Sequence, residues 1–284
     1  MSRSMLFVPG DSLRKFERAA AGEADALILD LEDSVAPDSK VAARDTVCAM
    51  LAGGARGKPL WVRINPLDSE WAAGDLAAVL PGRPFGIMQP KTRGGDDVRR
   101  LAHQLDGLEK AAGIPAGETR ILAIATELAV AMFTLGTYAG CSGRLWGLTW
   151  GGEDLAADIG TLVNRVAGRY TEPFRLARTL CLFGAAAAGV RAIDGVCVDL
   201  DDPALPAAEA AEARRDGFAG KLSIHPKHIE GIHQAFTPSA AELDFARRIV
   251  AAFDASPASG AFRLDGKMID RPHLRAARRL LGLD

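Results

Sequence analysis

Residues 144–160 read RLWGLTWGGEDLAADIG: an apolar run (Leu145, Trp146, Leu148, Trp150) stops at two glycines, and Glu153 and Asp154 follow at once. Adjacent acids in that place have two readings. Acidic residues in a first helical turn complement the helix dipole and cap free N–H groups. Alternatively, they bring negative charge to the end of a buried strand, where it can hold a cation.

Similar endings recur along the chain. Strand side chains alternate with period two, so Ala26, Ile28, Asp30 and Glu32 share one face. So do Trp61, Arg63 and Asn65 in WVRIN, and Ile87, Gln89 and Lys91 in IMQPK. So do Ile121, Ala123, Ala125 and Glu127, and a further strand finishes at Ser223, His225 and Pro226. One such ending is a cap. Several converging on one rim are harder to explain that way, because unpaired buried charge is costly. The set is rich in carboxylates (Asp30, Glu32, Glu127, Glu153, Asp154) and carries two cations, Arg63 and Lys91. Clustered carboxylates raise one another's pKa or bind a cation. Oxygen donors without nearby Cys or His select a hard ion, Mg²⁺ or Mn²⁺. Such an ion can chelate a substrate and stabilise an enolate.

Competing chemistries find little support. Four cysteines (Cys48, Cys141, Cys181, Cys197) lie far apart and form no CxxC pair, which argues against zinc and disulfides and fits a reducing cytoplasm. The formal net charge is −2, with no basic block, so no nucleic-acid surface is expected. Only Met5–Val8 is apolar before Pro9-Gly10, too short for a signal peptide. LCLFGAAAAGV at 180–190 is too short to span a bilayer, and no membrane partner is expected.

The elements that must carry these residues are short β-type runs alternating with helical stretches. Eight strand–helix units follow one another, from Met5–Val8 to the Lys221–Ile224 strand and the helix of Pro226–Ala235. That alternation implies parallel strands with crossover helices. A (β/α)₈ TIM barrel over residues 1–236 fits it better than an open sheet, which would usually carry a Gly-rich nucleotide fingerprint; neither GxGxxG nor GxxxxGK[ST] occurs. Helices are expected over about 128–135 and 155–163 as well. Residues 237–284 stand outside the repeat as a C-terminal helical segment, with helices near 240–252 and 272–281 joined by a Gly/Ser/Pro linker.

Other charges read as structural. Lys40 and Arg44, one helical turn apart, look like a solvated face. Asp33 reads as a local cap or pair; for Arg63 a structural pairing with Glu32 is the lesser reading, and a place in the chemistry the favoured one. His225 suits a cap before Pro226, and Asp270 before Arg271-Pro272 is a good N-cap pattern. Arg3, Arg14, Lys15 and Arg18 near the first strand are either surface charge or phosphate contacts.

With these residues assembled, the chain resembles the citrate lyase β-subunit-like group of the HpcH/HpaI aldolase superfamily over nearly its whole length. The resemblance rests on RSMLFVPG at 3–10, LDLEDSVAPDSKVAAR at 29–44, VRIN at 62–65, Pro90-Lys91 and Thr126-Glu127. It continues through GGEDLAADIG at 151–160, IDGV at 193–196, GFAGKLSIHP at 217–226 and GKMIDRPHLRAARRLL at 266–281. It implies a barrel that binds Mg²⁺, with Mn²⁺ as the alternative, through Glu127 and Asp154. It implies that Arg63 holds a substrate carboxylate or enolate oxygen, beside Lys91 and Asp30, and that Asp30 and Glu32 support the metal's water shell. Arg3 and Arg14 are expected at the cofactor's phosphates. An aspartate on a neighbouring subunit's C-terminal segment completes the site in acyl-CoA lyases of the group. The matching position is Asp270, which reverses the simple cap reading.

The implied reaction is cleavage or formation of a β-hydroxyacyl-CoA thioester such as malyl-, citramalyl- or citryl-CoA, giving an acyl-CoA and a 2-keto acid. The implied assembly is a homotrimer or hexamer. The rival reading is a pyruvate or 2-keto acid class II aldolase acting without CoA. LAVAMF after Glu127, His228 and Gly152 depart from the group's usual pattern, the first two where they bear on the acyl pocket.

Overall fold

The computed structural model describes residues 2–202, 204–255 and 260–283. They form two compact units, Met1–Phe236 and Thr237–Asp284.

In the first unit, strand and helix alternate: β1 (Ser4–Pro9), α1 (Leu13–Ala21), β2 (Ala26–Asp30), α2 (Lys40–Gly53), β3 (Leu60–Arg63) and α3 (Ala72–Val79). β4 (Gly86–Gln89), α4 (Gly95–Ala112), β5 (Arg120–Ile124), β6 (Leu145–Thr149) and α5 (Gly152–Asp158) follow. After a hairpin of β7 (Arg165–Val166) and β8 (Arg169–Tyr170) come α6 (Glu172–Ala188), β9 (Arg191–Asp194), α7 (Leu205–Asp216), β10 (Gly220–Ser223) and α8 (Ile229–Phe236). Eight parallel strands close in the order β1-β10-β9-β6-β5-β4-β3-β2. This is the (β/α)₈ barrel expected from the alternation.

The strands are short and apolar on both faces because both faces are covered. Met5, Ile28, Trp61, Met88, Leu122 and Leu222 fill the inside of the barrel. The opposite faces, with Leu27, Leu29, Val62, Ile87, Ile121 and Leu148, form a larger core under the helices. Gly10 fits a close approach: a Cβ there would lie 2.5 Å from the Asp30 carbonyl oxygen.

Three segments differ from expectation. Residues 128–135 make no α-helix but two 3₁₀ turns, Ala129–Phe133 and Leu135–Tyr138. The Thr134 and Thr137 hydroxyls donate to the carbonyls of Ala131 (3.1 Å) and Thr134 (2.6 Å) and compete with a regular ladder. Helix α5 stops at Asp158, short of Val163, and Gly160 follows with φ +77°. The hairpin β7–β8 then turns on Ala167 and Gly168, both with positive φ.

The second unit holds α9 (Ala240–Ala255), β11 (Ala261–Leu264), β12 (Lys267–Asp270) and α10 (Arg271–Leu281). The expected linker is in part an antiparallel hairpin, β11–β12, turning on Asp265-Gly266; residues 256–259 of it lie outside the described residues. Ile249, Phe253, Ile269 and Ala277 form its core, with Phe253 and Phe262 in an edge-to-face pair at 4.8 Å.

The N-terminal mouth of the barrel has its own buried ion pair. Arg144, just before β6, donates to Glu109 through Nη1 at 2.8 Å and Nη2 at 2.6 Å. Glu109 also accepts the N–H groups of Gly117 (2.8 Å) and Thr119 (2.9 Å). Arg144→Met leaves that carboxylate buried without its cation, so urea unfolding should show a loss of about 3–5 kcal/mol. Turnover should be unchanged, because this mouth is opposite the acidic rim.

Candidate active site

At the C-terminal ends of the strands the barrel opens into a cavity of about 420 Å³. Its lining combines polar residues, Asp30, Arg63, Glu127, Glu153 and Asp154, with apolar ones, Phe7, Trp150, Val196 and Leu222.

Arg63 is at the end of β3 and faces inward with Trp61. Its guanidinium grips Asp30 through Nε (2.7 Å) and Nη2 (2.8 Å), while Nη1 is 2.9 Å from Glu32 Oε2. The guanidinium also covers the Phe7 ring at 4.8 Å. Lys91 Nζ bridges two acids, at 2.5 Å from Glu32 Oε1 and 3.1 Å from Asp154 Oδ1. The Lys91 backbone N–H donates to Glu127 Oε2 at 2.5 Å. Glu127 and Asp154, Arg63, Lys91, Asp30 and Glu32 are thus gathered at one place. The exposed Asp33 joins the rim, 3.6 Å from Arg63 and 3.8 Å from Lys91.

Two of these reach the rim by a route that alternation does not describe. Ile87, Ile121, Ala123 and Ala125 belong to the outer core, and Gln89 donates to the Asp97 carbonyl. Side chains sharing their parity on β4 and β5 point toward the helices. Lys91 joins the rim acids and Glu127 lines the cavity because the chain turns beyond the strand ends, with Lys91 at φ +51°. The first of the two glycines in GGED also acquires a reason: a Cβ on Gly151 would lie 2.7 Å from Glu127 Cγ.

Burial and charge shift the acids apart. Burial raises the Glu127 carboxyl well above its usual value, and the negative Glu32 and Asp154 push it further. Burial pushes Glu32 up to about 7 against the pull of Arg63 and Lys91. Burial also acts upward on Asp30, but the charge and hydrogen bonds of Arg63 hold it below the ordinary range. Five carboxylates (Asp30, Glu32, Asp33, Glu127, Asp154) thus face two cations.

Of the remaining residues, some are placed as expected and others are not. Arg3 precedes β1 at the opposite mouth and is bound to Asp25 at 2.9 Å, so it does not meet a phosphate at the rim. Arg14 is exposed at the start of α1, on the rim side. Lys40 and Arg44 are not a solvated face: Lys40 is 8% exposed and donates to the carbonyls of Leu31 and Glu32, and Arg44 pairs with Asp75. Glu153 opens α5 as a first-turn acid and accepts from Asn164 Nδ2 at 2.7 Å. His225 caps, its Nδ1 accepting the Lys227 N–H at 3.1 Å. In the second unit Asp270 is the N-cap of α10 in a capping box with His273, whose Nδ1 accepts the Asp270 N–H at 3.3 Å.

A family model for HpcH/HpaI aldolase/citrate lyase matches residues 3–226. The chain belongs to this family. It is 37% identical over 289 residues to the citrate lyase subunit beta of Escherichia coli K12, covering 98% of this chain and 92% of that one. It is 34% identical over 286 residues to the (3S)-malyl-CoA thioesterase of Cereibacter sphaeroides ATCC 17025, covering 98% and 93%. Among solved structures, CitE from Mycobacterium tuberculosis in complex with magnesium, acetoacetate and coenzyme A superposes with TM-score 0.81 at 32% identity, covering 99% of this chain and 97% of that one.

Within this HpcH/HpaI family barrel, one part of the site lies beyond what motif reading singles out. Trp150, buried in the cavity wall, donates from Nε1 to Asp194 at 2.8 Å and stacks edge-on against Tyr170 at 4.9 Å. Asp194 is bound in turn by Lys221 and Arg178, each at 2.8 Å. The sequence signals were present in IDGV and GFAGKLSIHP, but a buried ion network has no local spacing signature.

Proposed function

We propose that the protein is a magnesium-dependent carbon–carbon lyase that cleaves, or forms, a β-hydroxyacyl-CoA thioester of the malyl-, citramalyl- or citryl-CoA type. One observation carries this reading: the buried carboxylate of Glu127 stands with Asp154 at the rim of an apolar cavity, beside Arg63. The donor set fits a magnesium ion, since both donors are oxygen and the surrounding acids exceed the cations. Among the described residues no group of three or more His, Cys, Asp or Glu is placed to hold an ion alone. Magnesium usually keeps several waters and takes one or two carboxylates, so Glu127 and Asp154 would suffice to hold it, and manganese would serve with the same donors.

Glu127 and Asp154 would hold the ion, which would supply positive charge to a substrate carboxylate and hydroxyl. Asp30 fixes the Arg63 guanidinium, whose charge faces the enolate oxygen that develops as the bond breaks. Glu32 and Lys91 hold each other and Asp154 in place. The apolar wall of Phe7, Trp150 and Leu222 excludes water from the enolate. Asp270 of a neighbouring copy takes the hydroxyl proton; the electron pair of the broken bond passes to the thioester, leaving an acyl-CoA enolate and a 2-keto acid.

Association with further copies, as the homotrimer or hexamer that the resemblance implies, is supported by apolar residues in the segments flanking the mouth: Phe133 is 90% exposed, and Leu162 and Val163 are also exposed. The segments are joined where the Ala129 N–H donates to Asp158 at 2.6 Å. Among the described residues no helix is long and apolar enough to cross a membrane; the cytoplasm is the proposed location.

Assay of malyl-, citramalyl-, methylmalyl- and citryl-CoA with Mg²⁺ tests the reading. At least one should release a 2-keto acid and an acyl-CoA, and EDTA should stop it. Free CoA at saturation should raise the melting temperature, by about 2.7 kcal/mol of stabilisation at one hundred times Kd. Hydroxy acid plus free CoA as products would assign thioester hydrolysis instead. No cleavage, with turnover of pyruvate and aldehydes, would assign the CoA-free aldolase.

A further inference from the structure

We infer that Lys40 is a positioning residue: its buried ammonium sets the backbone that carries Glu32 into the active site. The inference rests on the lyase reading only for its catalytic consequence. Lys40 is the first residue of α2 and is 8% exposed, yet the partners of its ammonium are backbone carbonyls, and among the described residues no ion pair to a carboxylate is found. Its Nζ donates to the Leu31 and Glu32 carbonyls, both at 3.0 Å. The burial is unfavourable for stability: a buried charge solvated only by carbonyls has lost water without gaining a counter-ion. A side chain placed against that cost is explained by what it holds.

What it holds is the segment 31–35, fixed from two sides. From inside, Asp30 accepts the Glu32 N–H (2.9 Å) and the Ser34 N–H (3.2 Å) while Arg63 clamps its carboxylate. From outside, Lys40 shares the Leu31 carbonyl with Asn65 Nδ2 (2.9 Å) and the Glu32 carbonyl with the Val35 N–H (3.1 Å). Asn65 is itself fixed by Asp75 at 2.7 Å, and Asp75 by Arg44 at 2.8 Å. Rotation of the 31–32 or 32–33 peptide would break these bonds and swing the Glu32 carboxylate away from Arg63 and Lys91. Lys40 touches neither substrate nor metal donor. It acts through Glu32.

The test is Lys40→Met, alone and combined with Glu32→Gln. Lys40→Met should lower kcat about 10–100-fold, the scale of an outer-shell loss, with KM for the thioester little changed. The double variant should be no slower than Glu32→Gln alone, since both act on one carboxylate. Amide exchange of residues 31–35 should accelerate at least several-fold in Lys40→Met, while residues 120–125 of β5 stay as in the parent. Losses that multiply in the double variant, or exchange at 31–35 that does not move, would overturn the inference. Should Lys40→Met fail to fold, Asn65→Ala removes a donor to the same carbonyl and is held to the same two outcomes. A parent that cleaves no hydroxyacyl-CoA, combined with accelerated exchange in Lys40→Met, would end the lyase reading and leave the positioning role standing.

Discussion

Replacing Glu127 with glutamine is expected to abolish turnover and, without metal, to make the protein more stable. The two effects have one cause. Glu127 is 2% exposed, and among neighbouring charges Glu32 and Asp154 act against its ionised form. Its folded pKa is raised above the unfolded value of 4.5. Below pH 4.5 both states are protonated and the carboxyl costs nothing extra. Above it the unfolded chain releases the proton while the folded chain retains it, so stability falls as pH rises, until the folded group ionises too. Glutamine has no such term. Metal-free melting curves of parent and Glu127→Gln should therefore nearly coincide at pH 4.5 and separate as pH rises toward 7.5, the variant being the more stable. With Mg²⁺ the order should reverse. The parent gains stability, about 2.7 kcal/mol at one hundred times Kd, and the variant gains little. Its kcat/KM should fall about 10³-fold or more, the scale of losing a group that stabilises transition-state charge. A variant that melted with the parent at every pH and cleaved at the parent rate would show that this carboxylate holds no ion.

The barrel was legible because it is written redundantly. Every strand is a short apolar run, and every run is followed by a helix-type stretch, so an error in one element leaves the topology intact. The rim was legible for a different reason: charges adjoin apolar runs at Asp30, Arg63 and Asp154, where burial of a lone charge would be penalised. What the sequence hid is what alternation does not govern. Lys91 and Glu127 share parity with residues facing the helices, and the turns past β4 and β5 bring them to the rim. Lys40 and Arg44 have the spacing of a solvated pair; tertiary packing buried one and gave the other to Asp75. The β11–β12 hairpin is announced by Asp265-Gly266, a strong hairpin signal, yet Gly, Ser and Pro nearby also read as a linker. Arg3 shows the value of strand polarity: a residue before β1 belongs to the mouth away from the rim, where Arg3 pairs with Asp25.

Asp270 bears on the assembly as well as the chemistry. It lies in the second unit as an N-cap of α10, and hydrogen bonding to His273 holds its carboxyl below the ordinary range. An ionised carboxylate is the form a proton acceptor needs. If it serves a neighbouring copy, Asp270→Asn should keep magnesium-dependent stabilisation while losing about 10²–10⁴-fold in kcat, the range of general acid–base groups. Glu127→Gln loses the other half of the same site. A site built from two chains then has a consequence that one built within a chain lacks. Co-folding the two inactive variants in equal amounts creates sites that take Glu127 from one chain and Asp270 from the other, both intact. Activity should return to a substantial fraction of the parent level in the mixture and in neither variant alone. Within one chain the mixture would stay inactive, because each site would still lack one of the two carboxylates. A mixture that assembles to the parent size without regaining turnover would therefore remove Asp270 from the neighbouring site and return it to capping alone.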